Sequence, residues 1–351
     1  MRAFRNTTNG VTEIRIVFVY LGDRVPNYAI KNYFLVSRMF PKSEVWFVVD
    51  DSKTFESLAR RNVRVWFSPH RGKINDEARN SYRNGFWVNT TNRFFALFEF
   101  HLNFPDQSIL HIESDVILFS NFPMEKFNQI SQKLAFPMSS PEIGLASSLW
   151  SKNLESTRLL VDFTRGELSD NPQLTDTEIL GKFSQSHSDD VLILRSGPSN
   201  PSVYRESSHP EVFSLEGGSS HINGFGIFDA STLGIHLCGS DPRNSFGKSR
   251  VFDPLPHHFL KVGQLDVYVD NGRIFIRTGD EVREVYSLHN HSKNRSFFEG
   301  DFELRLMRML KRRSLGMTTK FSISGLFYCL QDYFKIALRK LKGYKKWGRR
   351  K

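Results

Sequence analysis

Cysteine is nearly absent. The 351-residue chain holds two, Cys238 and Cys329, and neither sits in a C-x-x-C pair. Two thiols cannot build a disulfide framework, which excludes the small stapled secreted scaffolds and points to a reducing compartment. Long apolar runs are missing too. The opening residues, MRAFRNTTNGVTE, contain no apolar stretch of the kind a secretory leader needs. Near the other end, the uncharged stretch Phe321 to Gln331 falls far short of the ~20 residues required for a spanning helix. No internal repeat is present.

Acids are outnumbered, 37 against 48 Lys plus Arg, for a formal charge of +11, yet the excess is local. From Arg305 to Lys351 there are 15 basic residues and one acid, Asp332. The preceding 304 residues carry 33 basic and 36 acidic side chains, a net of −3. A near-neutral body argues against a nucleic-acid-binding domain, which carries its own basic face. The tail mixes aromatic and aliphatic residues with Lys and Arg at helical spacing, the pattern of a segment lying on an anionic membrane surface; a solvated C-terminal extension is the alternative. Apolar mass, in contrast, is ample. Hydrophobic residues make up 39% of the chain and Phe alone fills 32 positions, so a sizeable core is expected and global disorder is excluded. At about 100–200 residues per domain, the length fits one large domain or two small ones.

The periodicities alternate. EIRIVFVYL (13–21) reads as a strand, 26–40 as a helix, EVWFVV (44–49) as a strand, 52–61 as a short helix and 63–67 as a third strand. This βαβαβ order favours an open sheet of parallel strands. A helix follows over 89–103, with Asn89, Thr90 and Thr91 as capping candidates. SILHIESDVILFS then reads as one apolar strand interrupted by acids, and 134–138 as another strand. Residues 153–165 and 175–184 read as helices and VLIL (191–194) as a strand. A Ser-, Pro-, Gly- and Asn-rich loop spans 196–220. A hairpin, LDVYV and RIFIR about Asp270-Asn271-Gly272, precedes a last strand over 282–288.

The sharpest chemical feature is His111-Ile-Glu113-Ser-Asp115. On a strand, Glu113 and Asp115 face the same side. Two carboxylates at the end of a buried strand repel and are desolvated, and a divalent ion such as Mg²⁺ or Mn²⁺ resolves that repulsion. The plain alternative is a strand end entering a loop. The segment HIESDVILFSNFP, after a βαβαβ start, resembles the strand–acid–strand pattern of GT-A glycosyltransferases. There the acidic pair binds a metal on the diphosphate of a nucleotide-sugar. Glu113 stands in place of the more usual first Asp, which makes Asp115 the firmer metal ligand and leaves Glu113 to act as ligand, through water or on the ribose.

The resemblance extends to further segments. LHNHSKN (288–294) is similar to a stretch late in bacterial glycosyltransferases, implying a metal-ligating His289 or His291 and Lys293 on the diphosphate; two surface histidines in a polar turn are the alternative. FDASTLGIHLCGSDPRN (228–244) resembles another stretch of that group, with His236 a further metal candidate and Arg243 a phosphate or acceptor contact. Asp176, in LTDTEIL, matches an acidic helix start, implying sugar binding or a base for the acceptor; a capping role for Thr175 or Asp176 fits equally. Tyr20, Asp50 and Asp51 at strand ends, and Arg93, match positions lining the nucleotide. Gly144 to Ser148 matches a segment under the transferred sugar.

The expectation is an α/β chain with a GT-A-like, mostly parallel sheet flanked by helices over 1–304 and a basic amphipathic tail over 305–351. Its activity would be metal-dependent transfer from a nucleotide-diphosphate sugar, a UDP-sugar, to a glycan or lipid-linked acceptor. The protein would sit on the cytoplasmic face of a membrane, with no nucleic-acid partner. A nucleotidyltransferase acting on sugar phosphates and a catalytically degenerate binding module are the alternatives. LGDRVPN after the first strand is not the Gly-rich, basic loop of the former.

Overall fold

The computed structural model describes residues 14–68, 86–198, 226–238, 265–271, 273–291, 293 and 298. Arg243, the side chain of His236 and the 305–351 tail lie outside the described residues. The chain begins β1 (Arg15–Tyr20), α1 (Asn27–Met39), β2 (Val45–Val49), α2 (Ser52–Ala59), β3 (Val65–Phe67), as the periodicities predict. It continues through α3 (Phe86–His101), β4 (Ile109–Ile112), β5 (Val116–Leu118), α4 (Met124–Phe127), β6 (Leu134–Ser140), β7 (Ile143–Gly144) and β8 (Ser148–Ser151). Then come α5 (Leu154–Asp170), α6 (Asp176–Ser186), β9 (Val191–Leu194), β10 (Ile227–Phe228), α7 (Thr232–Cys238), β11 (Asp266–Asp270), β12 (Arg273–Thr278) and β13 (Glu281–His289).

Eight strands form the large sheet in the order β3-β2-β1-β4-β8-β6-β7, with β9 on β6. The pairs β1–β2, β1–β4, β2–β3 and β6–β9 are parallel. Strand β8, which the sequence reading does not contain, enters antiparallel between β4 and β6. Its residues are buried throughout, so it lacks the alternation that marks a strand with one wet face.

The sheet is a middle layer because its strands are apolar on both sides. Ile16 and Phe18 of β1 enter one core with Ala29, Ile30, Tyr33 and Val36 of α1 and Leu58 of α2. Val17, one residue out of phase, enters the opposite core with Phe94, Leu97 and Phe100 of α3, Leu160 of α5 and Ile179 and Phe183 of α6. Burying such a side chain stabilises by roughly 1.5–3 kcal/mol, so these two layers hold the described residues between Ile14 and Leu194 together.

Two expectations are corrected. SILHIESDVILFS is two strands: β4 stays in the large sheet, whereas β5 pairs antiparallel with β13 in a second sheet that also holds β10, β11 and β12. The break is a turn at Glu113–Val116, closed by the Val116 amide on the Glu113 carbonyl at 2.9 Å. Helix α3 starts at Phe86, so Thr90 and Thr91 lie within its opening turns and donate back to the Trp87 carbonyl at 3.0 and 2.9 Å. Among the described residues no helix is long and apolar enough to cross a membrane.

Two buried histidines make stability depend on pH. His101 sits with Nε2 2.6 Å from the Gln107 carbonyl, and His111 with Nδ1 2.9 Å from the Val17 carbonyl. Burial lowers their pKa values to about 4 and about 3. The unfolded chain protonates near the ordinary 6.5, so as pH falls below that the unfolded state takes up protons first and stability drops, the loss levelling off near pH 3–4. Urea unfolding should show stability falling on the order of 2 kcal/mol per histidine from pH 7.5 to 5. His101→Gln should flatten that slope.

Candidate active site

In the order β3-β2-β1-β4, successive connections run to one side of β1 and then cross to the other. Such a reversal opens a crevice at the carboxyl ends of the parallel strands. The residues delivered there are Tyr20 from β1, Asp50 and Asp51 after β2, and Glu113 after β4. Tyr20 packs half-buried on the first core. Asp50 Oδ1 accepts from the Gly22 amide at 2.8 Å, and Asp51 caps α2 by accepting from the Thr54 amide at 2.7 Å.

Glu113, Asp115 and His289 come together at this edge. One ligand atom from each lies within 4.8 Å of the others. His289 Nε2 is 3.5 Å from Glu113 Oε2 and 3.3 Å from Asp115 Oδ1. The two acids share a side because of the turn and not because of a strand's alternation, as expected from sequence. His289 arrives by register: it ends β13 opposite Val116, the residue after Asp115. The Asn290 amide then donates to the Asp115 carbonyl at 2.8 Å. His291 stacks on His289, ring centroids 3.8 Å apart. Lys293 Nζ lies 3.2 Å from Asp115 Oδ2.

Arg93 on α3 is buried and joins three elements. It pairs with Glu113 Oε1 through Nη1, with Asp176 Oδ2 through Nη2 at 2.6 Å, and donates from Nε to the Thr90 carbonyl at 2.8 Å. Asp176 opens α6 just after a Thr175–Glu178 capping box, so Thr175 is the cap and the Asp176 carboxylate is released to reach Arg93. It is 2% exposed. Glu113 and Asp115 thus each turn one oxygen toward His289 and have the other held by a cation.

The electrostatics follow from burial. Burial opposes the charge on Glu113, yet Arg93 and His289 hold its carboxyl below the ordinary value. Burial likewise opposes Asp115, but Lys293 and His289 hold it well below. For Asp176 burial wins over Arg93 and the pKa rises. Burial pushes His289 down, and the two facing carboxylates more than reverse this.

Asp229 and Asn32 support the site without having been given a role from sequence, and Ser147 supports it from the segment expected under the transferred sugar. Asp229 is buried and accepts from the amides of Leu233 (3.1 Å), Gly234 (2.6 Å) and His289 (2.9 Å), tying α7 to the end of β13. Burial raises its pKa to about 6. Gly234 is required by this contact: a Cβ there would lie 1.9 Å from the His289 carbonyl oxygen. Asn32 on α1 donates from Nδ2 to the carbonyls of Ser114 (3.2 Å) and Val116 (2.6 Å), clamping the acidic turn from below. Ser147 lends its carbonyl to the Glu113 amide at 3.2 Å. A lone Asn on the buried face of α1 was the available signal. Gly144 lies against α6, where a Cβ would meet Leu180 at 2.6 Å, so that end of the 144–148 segment is packed.

Two carboxylates and an imidazole form a donor set suited to a divalent ion such as Mn²⁺ or Mg²⁺.

No protein-family model matches the chain, and no curated protein matches it. Among solved structures it is similar to the apo-form glycosyltransferase GlyE of Streptococcus pneumoniae, at 13% identity and TM-score 0.31, over 52% of this chain and 45% of that one. The apo bifunctional glycosyltransferase WbbM matches at 12% and 0.32, over 56% and 42%. A cytidylyltransferase of Leptospira borgpetersenii matches at 8% and 0.30, over 52% and 76%. The matches span less than half the length of either glycosyltransferase, and likeness at these scores says nothing of activity.

Removing Arg93 should expose its role. Arg93→Met leaves two buried carboxylates without their counter-ion and should cost on the order of 3–5 kcal/mol in urea unfolding. Adding Asp176→Asn should recover part of that loss, a non-additivity of contacting residues.

Proposed function

We propose that the chain is a metal-dependent glycosyltransferase. It would move a sugar from a nucleotide-diphosphate sugar, a UDP-sugar in the first instance, to a hydroxyl of a glycan or lipid-linked acceptor. The observation that carries this reading is the Glu113–Asp115–His289 group beside Lys293, at the carboxyl end of β4, where the strand order reverses. The pattern of acids and late histidine in the sequence supports it.

Asp115 Oδ1, Glu113 Oε2 and His289 Nε2 are the atoms that would hold Mn²⁺ or Mg²⁺. A divalent ion so held supplies Lewis-acid neutralisation of the diphosphate leaving group. Arg93 keeps Glu113 ionised and turned one oxygen inward. Lys293 offers its ammonium to diphosphate oxygens, and Arg243 a second phosphate contact. Tyr20, Asp50 and Asp51 form the base and ribose side. Asp176, expected from sequence as the acceptor's base, is bonded to Arg93, and we assign it to positioning that guanidinium. The acceptor's attack on the anomeric carbon breaks the bond to the diphosphate, which leaves with the electron pair.

The test is a panel of UDP- and GDP-sugars with Mn²⁺, read by nucleoside diphosphate release. One donor should turn over, and Asp115→Asn should lower the rate by about 10²-fold or more. Pyrophosphate release from a nucleoside triphosphate and a sugar phosphate would replace this reading with nucleotidyl transfer. Metal-dependent nucleotide binding with no turnover would replace it with a binding module.

The basic tail, 15 cations against one acid, is assigned to an anionic membrane surface on the cytoplasmic side, near a lipid-linked acceptor. Sedimentation with phosphatidylserine-containing vesicles should pellet the 1–351 protein and not the 1–304 protein. Equal pelleting of the two would remove the tail from this role.

A further inference from the structure

Asp115 divides its oxygens between two groups. Oδ1 faces His289 at 3.3 Å and Oδ2 faces Lys293 Nζ at 3.2 Å. The lysine is delivered by a tight turn. The Lys293 amide donates to the Asn290 carbonyl at 2.9 Å, and the Asn290 amide donates to the Asp115 carbonyl at 2.8 Å. Lys293 has φ +52°, the left-handed region, uncommon for a residue with a side chain and kept only where its surroundings determine it. The turn therefore starts on the backbone of Asp115 and returns an ammonium to its side chain. The Lys293 side chain remains 23% exposed against 11% for Asp115, so the ammonium is the more open of the two to solvent.

A divalent ion that used Asp115 would meet this cation already in place. Two positive groups on one carboxylate repel across a few ångströms in a partly buried site, where the interaction is stronger than in water. A diphosphate changes that balance, because its oxygens accept the ammonium and free Asp115. We propose that Lys293 is a stand-in cation. It neutralises Asp115 while the donor is absent and passes to the diphosphate when ion and nucleotide enter together. The proposal rests on the transferase reading above and adds an order to it: the ion alone binds weakly, the nucleoside diphosphate strengthens it, and the strengthening is reciprocal. Free metal is then a poor occupant of the donor-free enzyme.

The test is Mn²⁺ binding to the full chain, followed by the electron-paramagnetic signal of free Mn²⁺, with MnCl₂ alone and with UDP or GDP added. Wild type, Lys293→Met and Lys293→Gly are compared; glycine is at ease at φ +52° and keeps the turn if methionine disturbs it. Without nucleotide, both variants should bind Mn²⁺ about five-fold or more tighter than wild type. Nucleoside diphosphate should strengthen Mn²⁺ binding by about five-fold or more in wild type, and by much less in the variants. Equal or weaker Mn²⁺ binding by both variants, or an undiminished gain from nucleotide, overturns the stand-in role and leaves the transferase reading in place. Absence of any Mn²⁺ or nucleotide binding by wild type overturns both.

Discussion

The acidic turn depends on one constraint: Glu113 and Asp115 are placed where water is scarce, and their charge must be met from within the protein. Carboxylates in such a position are tolerated only with partners. The partners come from four directions. Arg93 reaches in from α3, His289 from the end of β13, Lys293 from the turn after it, and Asn32 holds the turn's carbonyls from α1. Helices α1 and α3 and strand β13 are fixed by apolar packing, so the hydrophobic layers determine where the charges meet.

The junction also explains the two-sheet architecture. A single strand through residues 109–118 would carry both acids into a ladder buried on both faces. Breaking it at Glu113 lets β4 stay with β1 and β8 while β5 leaves to pair with β13. The turn sits on the seam, and the strand that closes the second sheet carries the imidazole to it. Asp229 secures the seam by accepting the His289 amide while anchoring the start of α7.

Local pattern made much of this legible. The first three strands and two helices follow from period and punctuation, as do the hairpin and β13, since each buries a face that a short stretch of sequence defines. Glu113, Asp115 and Lys293 were singled out by type, spacing and resemblance, while the histidine was left open among His236, His289 and His291. The pairings that bring them together were not legible, because Val116 opposite His289 is a long-range register that no window contains. Strand β8 was hidden by uniform burial. The pairing of Asp176 with Arg93 was not legible either, because the two lie 83 residues apart and only the packing of α3 against α6 joins them.

Glu113 and His289 stand 176 positions apart in the chain, and β13 follows β10, β11 and β12. During synthesis the acidic turn is therefore made long before its imidazole and ammonium exist. A growing chain can complete the α1- and α3-bearing layers around the large sheet, with Arg93 and Asn32 already gripping the turn, while one side of it faces open water. Hydration serves as the temporary partner, and docking of the last strand exchanges that water for protein. Closure of the site is thus a late, non-local event, and the crevice exists as a finished object only once the chain has been made past Lys293.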